Sequence, residues 1–371
     1  MSHVDLCIFG GGPAGLALAI LGAREGMSVT LVERDGYLRP RAGEHFSGEV
    51  RHALDALDIP RAEDPELASP SAGIVSIWGS RVPVTQPYAA RPGPAGLTVN
   101  RARFDEMLFE HAGRLGVRRV MARQNTLARE NDLWRVSLSA PQGATFTATT
   151  IVDATGRRAA VARSQGAGRV STGDLFAMTL WLEDEGVAAP LNSLVVEAGR
   201  LGWWSLCAAP GTGHTATFYT SRKLMRSLGF ARGRWALDAL PDAPYIANTL
   251  VKAAAVVARS RVFPCFPSRA DRMFGPGWVA IGDAATAYDP ICGRGVEFAM
   301  MSAFRAFEAI LADPQLSNLG PLFQSAMTAH HDRHLVRRCA VYHEAGGAFH
   351  PDFLASAVDA ERRAPQPNSI R

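Results

Sequence analysis

The chain has 371 residues, of which 47% are hydrophobic and 20% are charged, and its net charge is +4. This length suits two interleaved domains, and the composition is that of a folded globular protein. The small net charge and the lack of a lysine-rich run argue against a nucleic-acid partner. Outside the glycine-rich first 23 residues, no stretch reaches the ~18 uninterrupted apolar residues of a membrane span. Five scattered cysteines without a CxxC pair predict reduced thiols in the cytoplasm.

The first 33 residues predict a nucleotide-binding βαβ unit. An apolar strand is followed by the run Gly10–Gly15, then by a helix and by a second strand that ends at Glu33. Gly10 allows a tight turn, Gly12 lets the backbone approach a pyrophosphate, and Gly15 lets the helix pack closely on the sheet. The positive helix N-terminus faces the phosphates, and Glu33 can accept hydrogen bonds from an adenosine ribose. Dinucleotide binding is predicted over a glycine-rich turn in an ordinary α/β protein.

Two later segments also combine a strand with small residues. The strand predicted at 145–152 ends in Asp153–Gly156, where a cofactor can approach closely because no bulky side chain obstructs it. The short apolar strand 278–281 is followed by Asp283, whose carboxylate can accept hydrogen bonds from sugar-like hydroxyls. A helix predicted at 296–311 then begins close by, with its positive end pointing inward.

The middle and the end of the chain have different patterns. Residues 170–265 are rich in aromatic and β-branched residues, which predicts a mostly antiparallel sheet inserted between parts of the nucleotide domain. The adjacent Trp203 and Trp204 either line a pocket or fill a core. Beyond residue 319 a helix carries a dense His/Arg face at 330–338, which we interpret as solvated and not as a metal site. From Arg362 the chain is predicted to be a disordered tail.

Three separated blocks resemble the FAD-dependent monooxygenases built like p-hydroxybenzoate hydroxylase and their relatives, the flavin halogenases and geranylgeranyl reductases. The blocks are Gly10–Gly15 with Glu33, Asp153–Gly156, and Gly282-Asp283 with Pro290, Gly293 and Gly295. The resemblance implies an α/β fold, with a Rossmann-like FAD-binding domain of the glutathione-reductase type and an interleaved, mostly antiparallel β-sheet substrate domain. We assign residues 1–75, 97–170 and 266–320 to the FAD-binding domain, 76–96 and 171–265 to the substrate domain, and 321–371 to a C-terminal helical segment and tail.

Shorter blocks are similar to flavoproteins that oxygenate a protein tryptophan during the maturation of quinone-cofactor enzymes. These enzymes include quinohemoprotein amine dehydrogenase and the lysine and glycine oxidases that carry cysteine tryptophylquinone. The similar blocks are Ile77–Ser80, Asn100–Asp105, Glu197 with Gly202–Trp204, and Gly282–Pro290.

Two departures from the wider family narrow the chemistry. Flavin halogenases carry a lysine shortly before the strand that here ends near residue 77, together with a Trp-x-Trp-x-x-Pro motif. Residues 70–77 contain no lysine and Trp203-Trp204 replaces the motif, so chlorination is disfavoured. In the hydroxylases, an Asp-Gly motif is associated with NAD(P)H handling, and this chain has Thr155-Gly156 at that position. The external reductant, NAD(P)H or a flavin reductase, therefore stays open.

The resemblance implies roles for individual residues. The pyrophosphate would lie at the first glycine run, the adenosine ribose at Glu33, the ribityl chain at Asp283, and Arg101 between the ribityl chain and the phosphates. The implied cofactor-binding residues are Gly10, Gly12, Pro13, Ala14, Gly15, Glu33, Arg34, Arg41, Arg101, Asp283, Pro290, Gly293, Gly295 and Val296. Arg41 and Glu44 match a loop that runs near the flavin in relatives. The candidate pocket residues are His45, Trp203, Trp204 and Cys292; no metal is expected and no catalytic residue is assigned.

The leading functional prediction is an FAD-dependent monooxygenase that hydroxylates an electron-rich aromatic substrate with O₂, through a flavin C4a-hydroperoxide. The substrate is either a small aromatic molecule or a protein or peptide side chain, such as a tryptophan of a partner protein. One alternative is an FAD-dependent reductase of prenyl double bonds, with Cys292 near the flavin. The other is a non-catalytic flavin-binding assembly partner.

Overall fold

A computed structural model describes residues 2–37, 41–59, 64–122, 125–139, 143–183, 191–227, 235–250, 257–358 and 361–363. Its strands are β1 Ser2–Phe9, β2 Val29–Glu33, β3 His45–Phe46, β4 Ala68–Pro70, β5 Gly73–Ile77, β6 Val84–Pro87, β7 Leu97–Val99, β8 Arg118–Met121, β9 Asn125–Glu130, β10 Leu133–Leu138, β11 Ala144–Asp153, β12 Arg169–Thr172, β13 Leu175–Leu182, β14 Ser193–Gly199, β15 Gly202–Ala209, β16 Gly213–Ser221, β17 Val257–Pro264, β18 Ser268–Ala270, β19 Phe274–Gly275, β20 Trp278–Ala280, β21 Thr286–Ala287 and β22 Glu361–Arg363. Its α-helices are α1 Pro13–Arg24, α2 Val50–Ala56, α3 Arg101–Arg114, α4 Ala160–Ser164, α5 Arg222–Ser227, α6 Trp235–Ala239, α7 Pro244–Thr249, α8 Gly295–Ala312, α9 Leu319–Glu344 and α10 Pro351–Val358.

The nucleotide-binding half is built on an eight-stranded sheet. Its main strand order is β19-β20-β11-β1-β2-β8, and β10 and β9 add to the N-terminal half of β11. The central strands β20, β11, β1, β2 and β8 run parallel. Parallel strands are usually buried on both faces, which agrees with the apolar, fully buried residues of β1 from Leu6 to Ile8. The predicted Rossmann-like unit is confirmed.

Helix α1 lies between this sheet and α8. Its residues from Ala14 to Ile20 are all buried, because α3 and α8 both pack against it. Small side chains dominate this part of α1, which allows the close approach of the three helices. The start of α1 and the start of α8 are thereby brought to the same edge of the sheet.

The second half is a seven-stranded sheet in the order β17-β13-β16-β15-β14-β5-β6. Every neighbouring pair is antiparallel except β14 and β5, so the prediction of a mostly antiparallel sheet is confirmed. One face packs on α6 and α7 around Leu180, Phe218 and Ile246. The other face points toward the nucleotide-binding half. The sheet already includes Gly73, three residues before the boundary that we assigned from the sequence.

The His/Arg face of α9 is solvated only in part: Arg333 and Arg337 are exposed as predicted, but three other residues of the face are buried, and for these the interpretation is wrong. His331, His334 and Arg338 are 1%, 8% and 2% exposed. They are buried because this side of α9 packs against β21 and the turn that follows it, where the backbone N–H of Asp289 donates to His334 Nε2 over 3.1 Å. The sequence predicts a disordered tail from Arg362, but Arg362 and Arg363 belong to β22, which pairs with β12. Residues 364–371 lie outside the described chain.

All five cysteines are free. Among the helices of the described ranges, none combines the length and the apolar character needed to cross a membrane.

Candidate active site

The glycine turn after β1 brings three backbone segments into close contact. Gly10 has φ +109°, and a Cβ there would lie 2.2 Å from the carbonyl oxygen of Ala154 after β11. A Cβ on Gly15 would lie 2.0 Å from the oxygen of Gly10. Around Gly12, by contrast, no heavy atom of the described residues lies within 4 Å of an added Cβ. Gly10 and Gly15 therefore hold the turn together, whereas Gly12 leaves open space in front of α1.

Glu33 at the end of β2 holds the turn through backbone hydrogen bonds. Its Oε2 accepts from Gly11 N at 2.5 Å, and its Oε1 accepts from the N–H groups of Arg34 and Asp35. The Arg34 guanidinium bonds to Asp35 and is half exposed. Tyr37, which sequence reasoning missed, donates its hydroxyl to Gly11 O at 2.7 Å. Ribose binding by Glu33 stays a prediction, and the carboxylate is fixed in place for it.

Arg41 and Arg101 converge on one carboxylate. Arg41 Nη1 lies 2.9 Å and Arg101 Nη2 3.2 Å from Asp105 Oδ2, and Asp105 is fully buried. Arg101 Nη1 also donates to Ala42 O at 2.9 Å, while its Nε has no hydrogen-bond partner among the described residues. Asp105 was not singled out from the sequence, although its position four residues after Arg101 on one helix was the available signal.

Asp283 lies in a 3-10 turn between α1 and α8. A Cβ on Gly282 would be 2.9 Å from Cβ of Ala14 in α1 and 3.7 Å from Cβ of Ala299 in α8. Arg169 fixes the turn by donating to the carbonyl oxygens of Asp283 and Ala284. The Asp283 carboxylate stays 41% exposed and 3.6 Å from Nε of Arg157. Asp283, the residue predicted to bind the ribityl chain, therefore lies next to the first turn of α1.

The segment before α8 is open in the same direction. Pro290 begins a short 3-10 turn that ends at Gly293, which has φ +61°. In the part of the chain that the structure describes, no heavy atom lies within 4 Å of a Cβ added at Gly293 or Gly295, and no side chain caps the start of α8. Its first backbone N–H groups, including that of Val296, are thus available to an anionic group. Burial raises the pKa of Cys292 to about 12, so its thiol stays protonated.

These features fit the diphosphate, ribityl chain and isoalloxazine of FAD. The N-termini of α1 and α8 both lack a capping side chain, and both have glycines with open space, Gly12 before α1 and Gly293 and Gly295 at the start of α8. The exposed carboxylate of Asp283 and the unpartnered Nε of Arg101 supply polar groups of both signs. Helix N-termini and glycine backbones bind phosphate by this chemistry. For all the cofactor-binding residues named from the sequence, direct contact with FAD stays a prediction.

The loop from Arg41 to Gly48 separates this region from the seven-stranded sheet. Ser47 Oγ donates to Glu297 Oε2 at 2.8 Å and attaches the loop to the first turn of α8. His45 points elsewhere: it stacks on Tyr88 and its Nε2 lies 3.2 Å from Ser71 Oγ. Burial lowers the pKa of His45 to about 4, so it is neutral at pH 7 and has the contacts of a structural residue.

The sheet face that points toward this loop is rich in hydroxyl groups; we call it the inner face. Its members alternate along β13, β15 and β16 and are Thr179, Trp181, Trp203, Ser205, Cys207, Thr215, Thr217 and Tyr219. Neighbouring strands are joined by a 2.9 Å contact between the hydroxyls of Thr179 and Thr217, and by a 3.3 Å contact between those of Ser205 and Tyr219. The inner face therefore combines aromatic surface with polar groups.

The two adjacent tryptophans lie on opposite faces of β15. Trp203 is on the inner face, stacks on Tyr219 at 3.7 Å and donates its Nε1 to Tyr342 OH at 3.2 Å. Trp204 is 1% exposed in the cluster that faces α6 and α7. The pocket assignment of Trp204 is wrong, because successive strand residues point to opposite faces.

A buried polar network connects the inner face to the segment before α8. Tyr342 OH donates to Asp289 Oδ1 at 3.0 Å, and this oxygen also accepts from Ile291 N. Asp289 Oδ2 lies 3.9 Å from Nη1 of Arg338. Burial raises the pKa of Asp289. Sequence reasoning missed this network because its members are far apart in the chain: Tyr342 and Asp289 are separated by 53 positions.

Within the described residues, no group of three or more His, Cys, Asp or Glu side chains is arranged to hold a metal ion. His331 and His334 of α9 are both buried. Burial lowers the pKa of His331 to about 3 and that of His334 to about 4, so both are neutral near pH 7.

Comparison with known proteins places this site in a class. A family model described as FAD dependent oxidoreductase matches residues 5–187. The chain is 25% identical to the putative FAD-dependent oxidoreductase LodB of Marinomonas mediterranea over an alignment of 347 residues. This alignment covers 92% of this chain and 93% of LodB.

Two solved structures have the same fold. The flavin-dependent halogenase CmlS matches with a TM-score of 0.84 and 18% identity, over 97% of this chain and 68% of CmlS. The peptidyl tryptophan dihydroxylase QhpG, essential for tryptophylquinone cofactor biogenesis, matches with a TM-score of 0.76 and 21% identity, over 96% of this chain and 79% of QhpG.

The glycine turn, the two open helix N-termini and these matches identify the chain as an FAD-dependent oxidoreductase. Its fold is that of the flavin-dependent halogenases and monooxygenases.

Proposed function

We propose that the protein is a monooxygenase that hydroxylates an electron-rich aromatic ring, and that this ring is a tryptophan side chain of a partner protein. The observation that carries the choice of oxygenation over halogenation is the distribution of lysine. The sequence contains only Lys223 and Lys252. Lys223 lies on α5, is exposed and pairs with Asp352 at 2.8 Å; Lys252 lies outside the described residues. The region 70–77, where halogenases carry a lysine, has no ammonium group to hold a halogenating agent.

The inner face supports an indole as the ring. An indole has a broad apolar surface and one N–H donor, so it suits a wall that offers both aromatic contacts and hydroxyl acceptors. The half-buried Tyr219 supplies the first and the half-buried Ser205 the second, whereas Trp203, Thr179 and Thr217 are buried. The similarity to QhpG is consistent with this substrate class.

Bound FAD would supply the activation of O₂, and the chain would supply position and electrostatics. The first turns of α1 and α8 would stabilise negative charge on the cofactor, and the Arg41–Asp105–Arg101 cluster would hold the intervening loop. The inner face would exclude water and hold the ring within reach.

The test is a product analysis of the FAD-loaded protein. Reduced protein is mixed with O₂ and a tryptophan-containing peptide, with free tryptophan as a second substrate and with chloride or bromide present throughout. We expect a mass increase of one or two oxygen atoms on the indole of the peptide. Gly12→Val, which fills the space in front of α1, is the control for reactions that do not need bound FAD. Oxygen that appears only on free tryptophan would reject the protein substrate.

Halogenation is the second candidate, because the chain matches CmlS over 97% of its own length. The same assay separates the two reactions. Incorporation of chlorine or bromine without oxygen would reject the monooxygenase proposal and establish a halogenase that uses no lysine in the region 70–77.

A further inference from the structure

One carboxyl group lies between the cofactor region and the inner face without a cationic hydrogen-bond partner. Glu44 is 5% exposed. Its Oε1 accepts from Trp181 Nε1 at 3.2 Å, and its Oε2 accepts from Gly43 N at 2.8 Å. Both donors are neutral N–H groups, so within the described part of the chain no ion pair neutralises the carboxylate.

The backbone fixes the position of this side chain. Glu44 O accepts from Val99 N at 2.7 Å, and the neighbouring Ala42 O accepts from Arg101 Nη1. Farther along the loop, Ser47 is bonded to Glu297 in α8. The loop therefore lies against the predicted FAD region, while the Glu44 side chain reaches the inner face at Trp181.

The groups that face Glu44 come from three elements of the described chain. Arg101 on α3 is the cation within electrostatic reach, and its Nη groups bond to Ala42 O and Asp105 and not to Glu44. Cys207 on β15 and Tyr219 on β16 face it from the inner face. Burial raises the pKa of Cys207 to about 12 and moves that of Tyr219 higher still, so both stay neutral at pH 7.

The surroundings of Glu44 favour its protonated, neutral form more than water favours that form in an exposed glutamate. Removal from water disfavours the carboxylate, and the attraction of Arg101 and the two hydrogen bonds offset this only in part. Burial thus raises the pKa of Glu44 to about 7. The group can exchange a proton under physiological conditions, which is the property needed of a general base.

We propose that Glu44 is the general base that accepts the ring proton of the aromatic substrate. This inference depends on the proposed monooxygenase function, in which O₂ is the oxidant and an external two-electron donor of the NAD(P)H or reduced-flavin class is the reductant. After oxygen adds to a ring carbon, the C–H bond at that carbon breaks and its electron pair restores the aromatic system. The proton passes to the Glu44 carboxylate, which later releases it to solvent.

A purely structural role for Glu44 makes a different prediction. Its contacts with Trp181 and Gly43 each need an oxygen acceptor. The amide of Glu44→Gln keeps one acceptor, so it loses one of the two contacts, and it cannot accept the proton. Trp181→Phe is the matched control, because it removes the contact to Oε1 and keeps the carboxyl group.

The experiment compares wild type, Glu44→Gln and Trp181→Phe, each loaded with FAD and checked for flavin content by absorbance. Single-turnover formation of the oxygenated peptide is measured across pH. We expect the wild-type rate to rise with pH through an inflection near 7, and Trp181→Phe to keep an inflection that is displaced to higher pH, because the lost hydrogen bond from Trp181 lowers the pKa of Glu44. Glu44→Gln should lose the inflection and react about 100-fold more slowly, the usual loss when a general base is removed.

A second measurement does not depend on turnover. Infrared difference spectra of the resting protein should show a carboxylic C=O band that disappears as pH rises through about 7 and that is absent from Glu44→Gln. An unchanged rate and pH profile in Glu44→Gln would overturn the proposal, and so would a band that does not titrate. If the wild type oxygenates no aromatic substrate while the band titrates as expected, the proposed function fails and the role of Glu44 fails with it.

Discussion

The cofactor region and the inner face are built by opposite means. The cofactor region depends on missing side chains, because Gly12, Gly293 and Gly295 leave open space and two helices expose their first N–H groups. The inner face depends on side chains that contact partners on other strands, as Thr179 contacts Thr217. A site made of backbone can be recognised from a short run of sequence. A site made of cross-strand contacts requires the register of the sheet.

The largest effect should come from Trp204, whose ring fills the side of the sheet away from the cofactor. We expect Trp204→Ala to lower the free energy of unfolding by about 4 kcal/mol, because it leaves a large cavity in a closed cluster. Chemical denaturation checks this value. Trp203→Phe, on the inner face, is the matched control and should cost about 1 kcal/mol, the usual value of one hydrogen bond. A loss of only about 1 kcal/mol in Trp204→Ala would contradict the close packing of this ring in the cluster that faces α6 and α7.

Glu44 should make stability depend on pH in a direction opposite to that of an ordinary paired carboxylate. Its pKa is about 7 in the folded state against an ordinary value of 4.5, so the unfolded chain binds fewer protons between these values. Stability therefore falls as pH rises through this window, by about 3 kcal/mol in total. Glu44→Gln should remove this slope, so its stability relative to wild type should increase with pH. Parallel pH profiles of unfolding free energy would contradict the buried, unpaired state of Glu44.

Substitutions of two glycines in the first turn should differ in their effect on folding. In Gly15→Ala the new Cβ would overlap the carbonyl oxygen of Gly10, which should cost about 2 kcal/mol of unfolding free energy. Gly12→Ala meets no atom within 4 Å and should leave the stability of the flavin-free protein unchanged. Denaturation of both variants without FAD measures the difference. A Gly12→Ala variant as unstable as Gly15→Ala would show that the space in front of α1 is not open.

The same contrast explains what the sequence could predict. The run Gly10–Gly15 and its flanking strands specify a local βαβ unit, and the structure has it with the expected packing. Trp203 and Trp204 could have been separated by the alternation of strand residues alone. The burial of one side of α9 could not be predicted, because His334 and Arg338 look like surface residues until their contacts with Asp289 are known. Long-range polar contacts leave no periodic signal in the chain.

The smallest effect should come from Tyr342, which connects the two regions. Its hydroxyl accepts from Trp203 on the inner face and donates to Asp289, whose same oxygen fixes the turn at Ile291 beside the predicted flavin ring. Tyr342→Phe should cost only about 1 kcal/mol of stability, the net value of a typical hydrogen bond. Because one anchor of the turn is lost, we also expect a shift in the absorbance spectrum of bound flavin. Phe353→Leu, in the same aromatic cluster but without a polar contact to Asp289, is the control and should leave that spectrum unchanged. If the two variants have the same flavin spectrum, the network supports only the packing of α9, and the inner face and the cofactor region act as independent parts.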